Sequence, residues 1–306
     1  MSTMDRREFI RKTAAVVGTT LAAPALGSDK ACPPAATRPA ARKVLRAADT
    51  VTLGKTRIKT SRLAIGIGTR GGWEQYLRGK DAMVKLLRYG FDQGLRWWDT
   101  AIAYRTHPYI QAALKEVKRD ELTITSKTRA KDAAGVRADI ERLRKDLNTD
   151  YVDVLLLHCM KDADWPEKMK GAMDALSEAR QKGRVRAVGC SYHAVPALQA
   201  AADEPWAEVN LARINPFAVT MDVKKPENVP LVEKALQVIS QRGRVVYGMK
   251  VLGEGGLKGN QIDESLRFVL NKPYVSAFTI GFSHDNQIDD IIQRIDRIRA
   301  ATTPKA

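Results

Sequence analysis

Short apolar runs alternate with amphipathic segments along most of the chain. Runs such as Val152–Leu157 are apolar nearly throughout, which favours a strand of a parallel sheet that is buried on both faces. In the segments between them, apolar residues recur at the spacing of a helix, and a glycine follows several of these segments. The pattern therefore predicts repeated strand–helix units.

The chain holds eight such units after a small hairpin at Val51–Ile58, built around a Gly-Lys turn. The predicted strands are Leu63–Ile67, Leu95–Trp98, Leu122–Thr125, Val152–Leu157, Val185–Val188, Val209–Ile214, Val245–Tyr247 and Ala277–Ile280. The predicted helices are Lys80–Gln93, Pro108–Val117, Ala133–Leu147, Glu167–Gln181, Val195–Ala202, Val229–Gln241, Gln261–Leu270 and Gln287–Arg299. Eight units in about 255 residues match the size of a (β/α)8 TIM barrel.

A doubly wound open sheet is the alternative fold. Such a sheet usually opens with a glycine-rich phosphate loop that leads into a helix. The segment Gly66–Gly71 has the glycines, but no helix starts at the right place after it. We therefore predict an α/β protein with a TIM barrel and a short N-terminal β-hairpin.

The amino terminus differs from the rest of the chain. Arg6-Arg7 precedes a mildly hydrophobic stretch at Ala14–Leu26, and Ala23-Pro24-Ala25 offers small residues for a signal peptidase. This order is typical of a twin-arginine export signal, although an ordinary basic amphipathic helix is the alternative. We expect export to the periplasm by the twin-arginine machinery, or a cytoplasmic protein if the signal is not used. The predicted organisation is a signal at 1–27, a disordered linker rich in Ala and Pro at 28–47, and the barrel at 48–306.

Composition limits the class of protein. A chain of 306 residues with 44% hydrophobic residues suits one large domain. No stretch reaches the roughly 20 apolar residues of a membrane span, so we expect none in the mature chain. The net charge of +16 raises the possibility of a nucleic-acid or anionic-polymer partner. Because the basic residues are dispersed and no nucleic-acid-binding motif accompanies them, we expect a basic solvated surface and no nucleic-acid partner.

The three cysteines match no metal site and no CxxC redox motif, so we predict no metal. Cys159 and Cys190 follow two neighbouring predicted strands, about 4.8 Å apart, which is within the range for a disulfide. A bond between them is therefore a hypothesis, and side chains on different faces would exclude it.

Four polar residues fall where barrel chemistry is expected, at or just beyond the carboxyl ends of successive strands. They are Asp99, Tyr104, Lys127 and His158. Singly, each has an ordinary explanation as a helix cap, a rim residue, a surface lysine or a structural histidine. Together they resemble the Asp, Tyr, Lys, His tetrad of the aldo-keto reductases. The resemblance is carried by Asp99-Thr100-Ala101, Ser126-Lys127, Leu156-Leu157-His158, Asp150-Tyr151-Val152-Asp153 and Gly189-Cys190-Ser191, and it covers about 250 residues.

The resemblance implies an oxidoreductase that reduces an aldehyde or ketone with NAD(P)H. Tyr104 would donate the proton, and Lys127 would lower the pKa of this phenol. Asp99 would keep Lys127 charged and oriented. His158 would hydrogen-bond the carbonyl oxygen of a small-molecule substrate.

The resemblance also implies a set of cofactor-binding residues. Ser191 would bind the nicotinamide carboxamide, Tyr247 would stack on the nicotinamide ring, and Lys250 would reach the pyrophosphate. Backbone amides near Ser283, at the first turn of the last helix, would bind phosphate. The remaining members of the predicted set are Thr69, Met249, Gly281 and Gln287.

This chain departs from the family pattern at several cofactor positions. Tyr192 stands where an asparagine is frequent, and Leu211 stands where a carboxamide-binding glutamine is expected. Gly281, Phe282 and Gln287 replace the Lys-Ser pair and the arginine that grip the 2′-phosphate of NADP. The cofactor is therefore NADP(H) or NAD(H), with the preference open.

Two other functions are compatible with the sequence. The barrel would bind cofactor as a regulatory or scaffold subunit with little turnover, or the basic chain would bind an anionic surface. The complete tetrad favours the enzyme, because a binding module has no need for all four side chains.

Overall fold

The computed structural model describes residues 46–302, and the side chains of residues 46–298. The proposed export signal at 1–27 and the linker residues 28–45 lie outside the described residues. Ala47 is 3% exposed, and its carbonyl accepts a hydrogen bond of 2.9 Å from the backbone N–H of Leu63. Ala47 therefore packs against the barrel, one residue before the boundary predicted at residue 48.

The described strands are a short antiparallel pair and a closed parallel barrel. In chain order they are β1 Thr50–Thr52, β2 Lys59–Ser61, β3 Leu63–Gly66, β4 Trp97–Asp99, β5 Thr123–Thr128, β6 Val152–Met160, β7 Val185–Tyr192, β8 Val209–Arg213, β9 Val245–Met249 and β10 Ala277–Gly281. Strands β3 to β10 form the barrel, which closes because β10 pairs with both β9 and β3. The predicted (β/α)8 fold is confirmed.

Helices follow the strands around the outside of the barrel. They are α1 Trp73–Leu77, α2 Lys80–Asp92, α3 His107–Ala113, α4 Ala133–Leu147, α5 Trp165–Lys168, α6 Lys170–Gln181, α7 Val195–Asp203, α8 Val229–Gln241, α9 Asn260–Leu270 and α10 Asp285–Thr302. Helix α4 shows why the pattern was predictive. The Asp132 carboxylate caps its first turn by accepting from the Gly135 N–H, and Asn148 ends it in the left-handed region at φ 49°.

Several predicted helices have different bounds in the structure. The segment predicted as one helix at Glu167–Gln181 is divided at Met169 (φ −100°) into α5 and α6. Helix α3 ends at Ala113, four residues before the predicted end. Among the described residues, no helix is both long enough and apolar enough to cross a membrane.

The N-terminal hairpin is wider than predicted. Strands β1 and β2 pair from Thr50 with Ser61 to Thr52 with Lys59, and a 3-10 turn at Gly54–Thr56 lies in the loop that connects them. The loop is longer than a two-residue turn because it places Leu53 and Ile58, both at most 1% exposed, in the barrel interior.

The alternation of side chains along the strands separates two apolar layers. In β6, Val154 and Leu156 point into the barrel, whereas Leu155 and Leu157 pack against the helices. Each such fully buried side chain stabilises the fold by roughly 1.5–3 kcal/mol. The inward-pointing residues fill the barrel, so the carboxyl ends of the strands form a floor for a cleft.

Candidate active site

A cleft of about 430 Å³ opens at the carboxyl ends of the barrel strands. It extends from the four tetrad residues to Gln287 in the first turn of α10. The tetrad residues are Asp99, Tyr104, Lys127 and His158, and all four line the cleft. The structure therefore brings together all four side chains that the sequence singled out.

Asp99 and Lys127 form a buried ion pair at the base of the cleft. Asp99 ends β4 and Lys127 lies in β5, and the two strands pair side by side. The Lys127 Nζ donates to Asp99 Oδ1 at 2.5 Å and to the Thr100 carbonyl at 2.7 Å. The two side chains are 3% and 8% exposed, so neither charge is screened by bulk water.

Tyr104 and His158 form the part of the tetrad that faces a ligand. The Tyr104 hydroxyl lies 3.5 Å from His158 Nε2, and the two rings meet edge to face. The backbone of Gly68 and Gly72 holds Tyr104 from the other side, because a Cβ atom at either glycine would lie within 2.5 Å of the Tyr104 side chain. The phenol is therefore held between a loop and an imidazole.

Burial raises the pKa of Tyr104 above its usual value, and the nearby Asp99 carboxylate acts in the same direction. This differs from our expectation that Lys127 lowers the pKa of the phenol. The reason is that burial is the largest influence on the pKa of this phenol, and Lys127 directs its hydrogen bonds at Asp99 and Thr100 instead. A raised pKa keeps Tyr104 protonated, which is the form that a proton donor requires.

His158 is neutral over the physiological pH range. Burial lowers its pKa to about 2, and the positive charge of Lys127 contributes to the shift. Its Nδ1 atom is buried and has no hydrogen-bond partner within the described chain. Leaving such a buried polar atom unpaired costs roughly 1–3 kcal/mol, so this nitrogen is open to a ligand or a water molecule.

Strand β6 is irregular immediately after His158. The pairing register with β7 shifts between Leu157 and Met160, and Cys159 adopts φ 68°, which is rare for a non-glycine residue. The Cys159 N–H donates to Ser191 Oγ at 2.9 Å and stabilises this bulge. Because of the bulge, His158 and Cys159 both line the cleft instead of pointing to opposite faces.

The bulge also explains why the disulfide hypothesis is wrong. Cys159 and Cys190 are both free thiols in the structure. Cys190 is fully buried in the layer between the strands and the helices, whereas Cys159 faces the cleft. The two side chains lie on opposite sides of the sheet, where a disulfide cannot join them.

Tyr247 does not reach the cleft as predicted. It is fully buried, and its ring stacks on Trp97 with 4.1 Å between centroids and 11° between planes. Met249 lies two residues nearer the carboxyl end of β9, points to the same side and lines the cleft instead, together with Ser191 and Leu211. Stacking of Tyr247 on a nicotinamide is therefore not supported by this arrangement.

Lys250 lines the cleft but is already paired. Its Nζ lies 2.6 Å from a carboxylate oxygen of Glu254. The same carboxylate accepts a hydrogen bond of 2.7 Å from the backbone N–H of Arg70, on the loop that follows β3. Glu254 thus ties the loop after β9 to the loop after β3 across one side of the cleft.

The predicted phosphate-binding groups at the start of α10 are also engaged within the chain. Gln287 Oε1 accepts from the backbone N–H of Ser283 at 2.8 Å and from that of His284 at 3.2 Å. The Ser283 hydroxyl donates to the carboxylate of Glu74. A phosphate at this helix terminus would have to displace Gln287 from both amides.

Thr69 and Gly281 form the narrow middle of the cleft. Thr69 exchanges two hydrogen bonds with Gln75, one from Gln75 Nε2 to Thr69 Oγ1 at 2.9 Å and one from Thr69 N–H to Gln75 Oε1 at 3.1 Å. A Cβ atom at Gly281 would lie 2.0 Å from Thr69 Oγ1. Backbone rather than side chain therefore lines the cleft here, which fits an extended ligand such as a dinucleotide.

Sequence analysis missed several cleft residues, notably Arg129, His193 and Glu254. His193 had a signal, because it is one of only four histidines and follows the end of β7 by one residue. Arg129 had a similar signal one residue after β5. Glu254 had none, since its role depends on a loop conformation that brings it to Arg70.

A sequence profile of the aldo/keto reductase family matches residues 62–265, more than half of the chain. The chain belongs to this family. The match includes all four tetrad positions, so the tetrad lies within the part of the chain that the family shares.

Individual relatives are more distant. The chain is 26% identical over 161 residues to aldo-keto reductase YhdN of Bacillus subtilis, covering 47% of each protein. It is 29% identical over 164 residues to 2,5-diketo-D-gluconic acid reductase B of a Corynebacterium, covering 50% of this chain and 54% of that one. It is 32% identical over 142 residues to methylglyoxal reductase DkgA of Yersinia pestis, covering 44% and 47%. The chain thus spans about half the length of these relatives.

Solved structures of aldo-keto reductases share the fold. An aldo-keto reductase from Pseudomonas aeruginosa superposes with a TM-score of 0.69 at 20% identity, over 84% of this chain and 98% of that one. A holo form of aldo-keto reductase AKR11C1 from Bacillus halodurans superposes with a TM-score of 0.64 at 15% identity, over 84% and 97%. At these identities the likeness concerns the architecture alone.

Proposed function

We propose that this aldo-keto reductase reduces an aldehyde or ketone to an alcohol with NADPH or NADH. The observation that carries the proposal is the arrangement of the tetrad. A protonated phenol at Tyr104 and a neutral imidazole at His158 stand 3.5 Å apart at the cleft, above the buried pair of Asp99 and Lys127.

The residues of the chain have distinct roles in this proposal. Tyr104 Oη donates its proton to the carbonyl oxygen as negative charge develops there. The His158 ring, held edge to face against Tyr104, hydrogen-bonds the same oxygen and orients the carbonyl. Lys127 supplies a positive charge beneath the phenol, 5.4 Å from its ring centroid, and Asp99 holds that charge in place.

The bound nicotinamide cofactor supplies the hydride. Ser191, Met249, Thr69 and Gly281 line the part of the cleft that would hold it, and Lys250 with Gln287 lies toward its phosphate end. Asp99 and His158 are each 6% exposed and Tyr104 is half-buried, so the reacting groups are partly shielded from water. Electrostatic stabilisation of a developing oxyanion is strongest in such a site.

The names of two relatives support carbonyl reduction as the chemistry. One is a methylglyoxal reductase and the other a 2,5-diketo-D-gluconic acid reductase. Both names describe reductases of small carbonyl compounds. For the present chain, a small carbonyl compound is accordingly the substrate class that we propose.

Replacing Tyr104 by phenylalanine tests the proposal. The variant loses the proton donor, and kcat for a good aldehyde should fall by roughly 10²–10⁴-fold. The Kd for NADPH, measured by fluorescence titration, should stay unchanged because the ring remains. Tyr89→Phe is the matched control, since it removes a phenol hydroxyl that bonds Asp289 outside the cleft.

Three outcomes separate the alternatives. Equal turnover in the Tyr104→Phe and Tyr89→Phe variants would show that Tyr104 is not the proton donor. A wild-type protein that binds NADPH but transfers no hydride in a single turnover would indicate the regulatory or scaffold barrel. Salt-sensitive retention on an anionic polymer, with no response to cofactor, would indicate the surface-binding protein.

We further propose that residues 1–27 direct export to the periplasm by the twin-arginine machinery. The support is the sequence order of Arg6-Arg7, the mild apolar stretch and the small residues after it. Cell fractionation of the full chain should place it in the periplasm. A variant with Arg6→Lys and Arg7→Lys should stay in the cytoplasm, and an unchanged distribution would refute the signal.

A further inference from the structure

The wall of the cleft beside His158 carries a series of hydrogen-bonded polar side chains that do not belong to the tetrad. His193 follows β7, and its ring centroid lies 6.3 Å from that of His158. Its Nε2 atom is 3.5 Å from Cys159 Sγ, and its Nδ1 atom contacts the guanidinium of Arg213. Arg213 in turn forms an ion pair of 3.2 Å with the fully buried carboxylate of Asp222.

The hydrogen bonds among these side chains determine which nitrogen of His193 carries the proton. A guanidinium only donates hydrogen bonds, so His193 Nδ1 must accept from Arg213. In a neutral imidazole the proton then lies on Nε2. Burial and the positive charge of Arg213 lower the pKa of His193 to about 3, which keeps it neutral. His193 therefore presents a fixed Nε2–H donor at the cleft wall.

The same wall contains a group of atoms with metal-ligand spacing. His158, Cys159 and His193 each offer one atom, all within 4.8 Å of one another. Two features oppose a cation here. The Nε2 of His193 is protonated and so has no free lone pair, and the cations Lys127, Arg129 and Arg213 surround the thiol. The wall suits an anion better than a metal.

Two further cations lie at the outer edge of this wall. Arg129 lines the cleft, Lys161 acts on both Cys159 and His193, and both side chains are exposed. Neither forms an ion pair with a carboxylate of the described residues. Their charge is thus available to a ligand that reaches the wall.

We propose that this wall is a subsite for a carboxylate carried by the carbonyl substrate. Nε2–H of His193 donates to the carboxylate, and Arg129 and Lys161 attract it to the site. Asp222 and Arg213 act as positioning residues that hold the tautomer of His193. This inference rests on the proposed function, because it concerns the substrate that the tetrad reduces.

The subsite sets specificity and leaves the chemical step unchanged. Charge-assisted hydrogen bonds between an uncharged donor and a carboxylate are roughly twice as strong as those between neutral groups. A substrate that lacks the carboxylate would leave the His193 donor with only the Cys159 thiol, a weak acceptor, as its partner. The preference should therefore appear in KM and in binding more than in kcat.

Two substrates of similar size test the subsite. The probes are 4-carboxybenzaldehyde and its neutral counterpart 4-formylbenzamide. In the wild-type enzyme, kcat/KM should favour the carboxylate by roughly tenfold to a hundredfold. His193→Leu should bring that ratio close to one, whereas His193→Gln, which retains an N–H donor, should keep most of it.

Two further variants separate positioning and charge from general damage. Arg213→Met should lower the ratio, with the loss appearing in KM for the carboxylate, and Arg213→Lys should restore part of the ratio. Arg129→Gln should lower the ratio several-fold. Lys131→Gln, which removes the same charge two residues away and outside the cleft, is its control.

The outcomes are distinguishable from a failure of the proposed function. Calorimetric binding of both probes to the NADP⁺ complex gives a readout without turnover. If neither probe is reduced but the carboxylate binds more tightly and His193→Leu abolishes the difference, the subsite stands and the reductase proposal fails. Equal binding and equal kcat/KM of the two probes overturns the subsite. A His193→Leu variant that weakens NADPH binding and leaves the ratio intact overturns it too.

Discussion

The two ends of the cleft differ in whether their polar groups are free to meet a ligand or are already bonded within the chain. At the tetrad end, Lys127 donates its hydrogen bonds to Asp99 and Thr100, which leaves the Tyr104 hydroxyl and the His158 ring facing the cleft. At the α10 end, the chain satisfies its own polar groups. Gln287 occupies two backbone amides, Glu254 pairs with Lys250, and Glu74 accepts from Ser283.

The difference concerns preorganisation. The tetrad needs no rearrangement to meet a carbonyl oxygen, and such fixed dipoles cost nothing at the moment of reaction. A cofactor phosphate at the other end must first displace intramolecular partners. Each exchange of one hydrogen bond for another yields only about 0.5–1.5 kcal/mol. Under the proposed function, catalytic geometry is therefore built in at one end, whereas binding of a cofactor phosphate at the other would require side chains to move.

The largest effect is expected from removing the charge of Lys127 at the tetrad end of the cleft. In Lys127→Met the Asp99 carboxylate stays buried without its partner, which should lower the free energy of unfolding by about 3–5 kcal/mol. Turnover should fall as well, because the positive charge beneath Tyr104 is lost. Urea unfolding followed by circular dichroism measures the change in stability.

The control is another lysine–carboxylate ion pair, one that lies at the surface. Lys182 pairs with Glu178 at 2.5 Å, but the two side chains are 60% and 38% exposed. Lys182→Met should cost no more than about 1 kcal/mol. Similar costs for the two lysine variants would show that the tetrad pair is not effectively buried.

A smaller effect is expected from adding charge at the α10 end. Gly281, Phe282 and Gln287 carry no positive charge, so the wild-type Kd values for NADPH and NADH should differ by no more than about tenfold. Gln287→Arg releases the two amides and adds a cation. The variant should shift the ratio toward NADPH by roughly tenfold or more.

Gln241→Arg, at the exposed end of α8, adds the same charge away from the cleft and should leave the ratio unchanged. Fluorescence titration with both cofactors gives the ratio for each protein. A wild-type preference of a thousandfold for NADPH would contradict the prediction, since it would require a phosphate grip that the described residues do not provide.

The smallest effect is expected from pH. Burial lowers the pKa of His158 to about 2, so this ring gains a proton only in strong acid. Burial raises the pKa of Tyr104, so the phenol loses its proton only above its usual range. With a neutral aldehyde and saturating NADPH, kcat should vary by less than about threefold between pH 6 and 9. A change in kcat near pH 6–7 that is absent from the His158→Gln variant would contradict this prediction, because it would show that His158 titrates in that range.

Sequence predicted the barrel and the tetrad for the same physical reason. A strand buried on both faces is apolar along its length, so a polar residue at its end, such as Asp99 or His158, stands out against the run before it. Parallel strands bring their carboxyl ends to one rim, which places such residues together. The barrel needs only local patterns and the topology, whereas the roles of the four tetrad residues came from the resemblance to the aldo-keto reductases.

What sequence missed depends on contacts between distant segments. The bulge at Cys159 is stabilised by Ser191, 32 residues away. The donor role of His193 follows from Arg213 and Asp222, which approach it only in the folded barrel. Tyr247 is stacked on Trp97 in the barrel interior, and Met249, two residues nearer the end of the same strand, lines the cleft in its place. No periodicity along the chain encodes such pairings.

The two glycines against Tyr104 matter for anyone who wishes to alter this enzyme. A Cβ atom at Gly68 would lie 2.5 Å from the phenol ring, and one at Gly72, which also has φ +85°, would lie 2.4 Å from Tyr104 Cβ. We expect a library that varies these positions to yield few active clones, because any larger residue displaces Tyr104, the proton donor that we propose. Exposed positions on α1, such as Trp73 and Leu77, lie beyond this constraint and are the better ones to diversify.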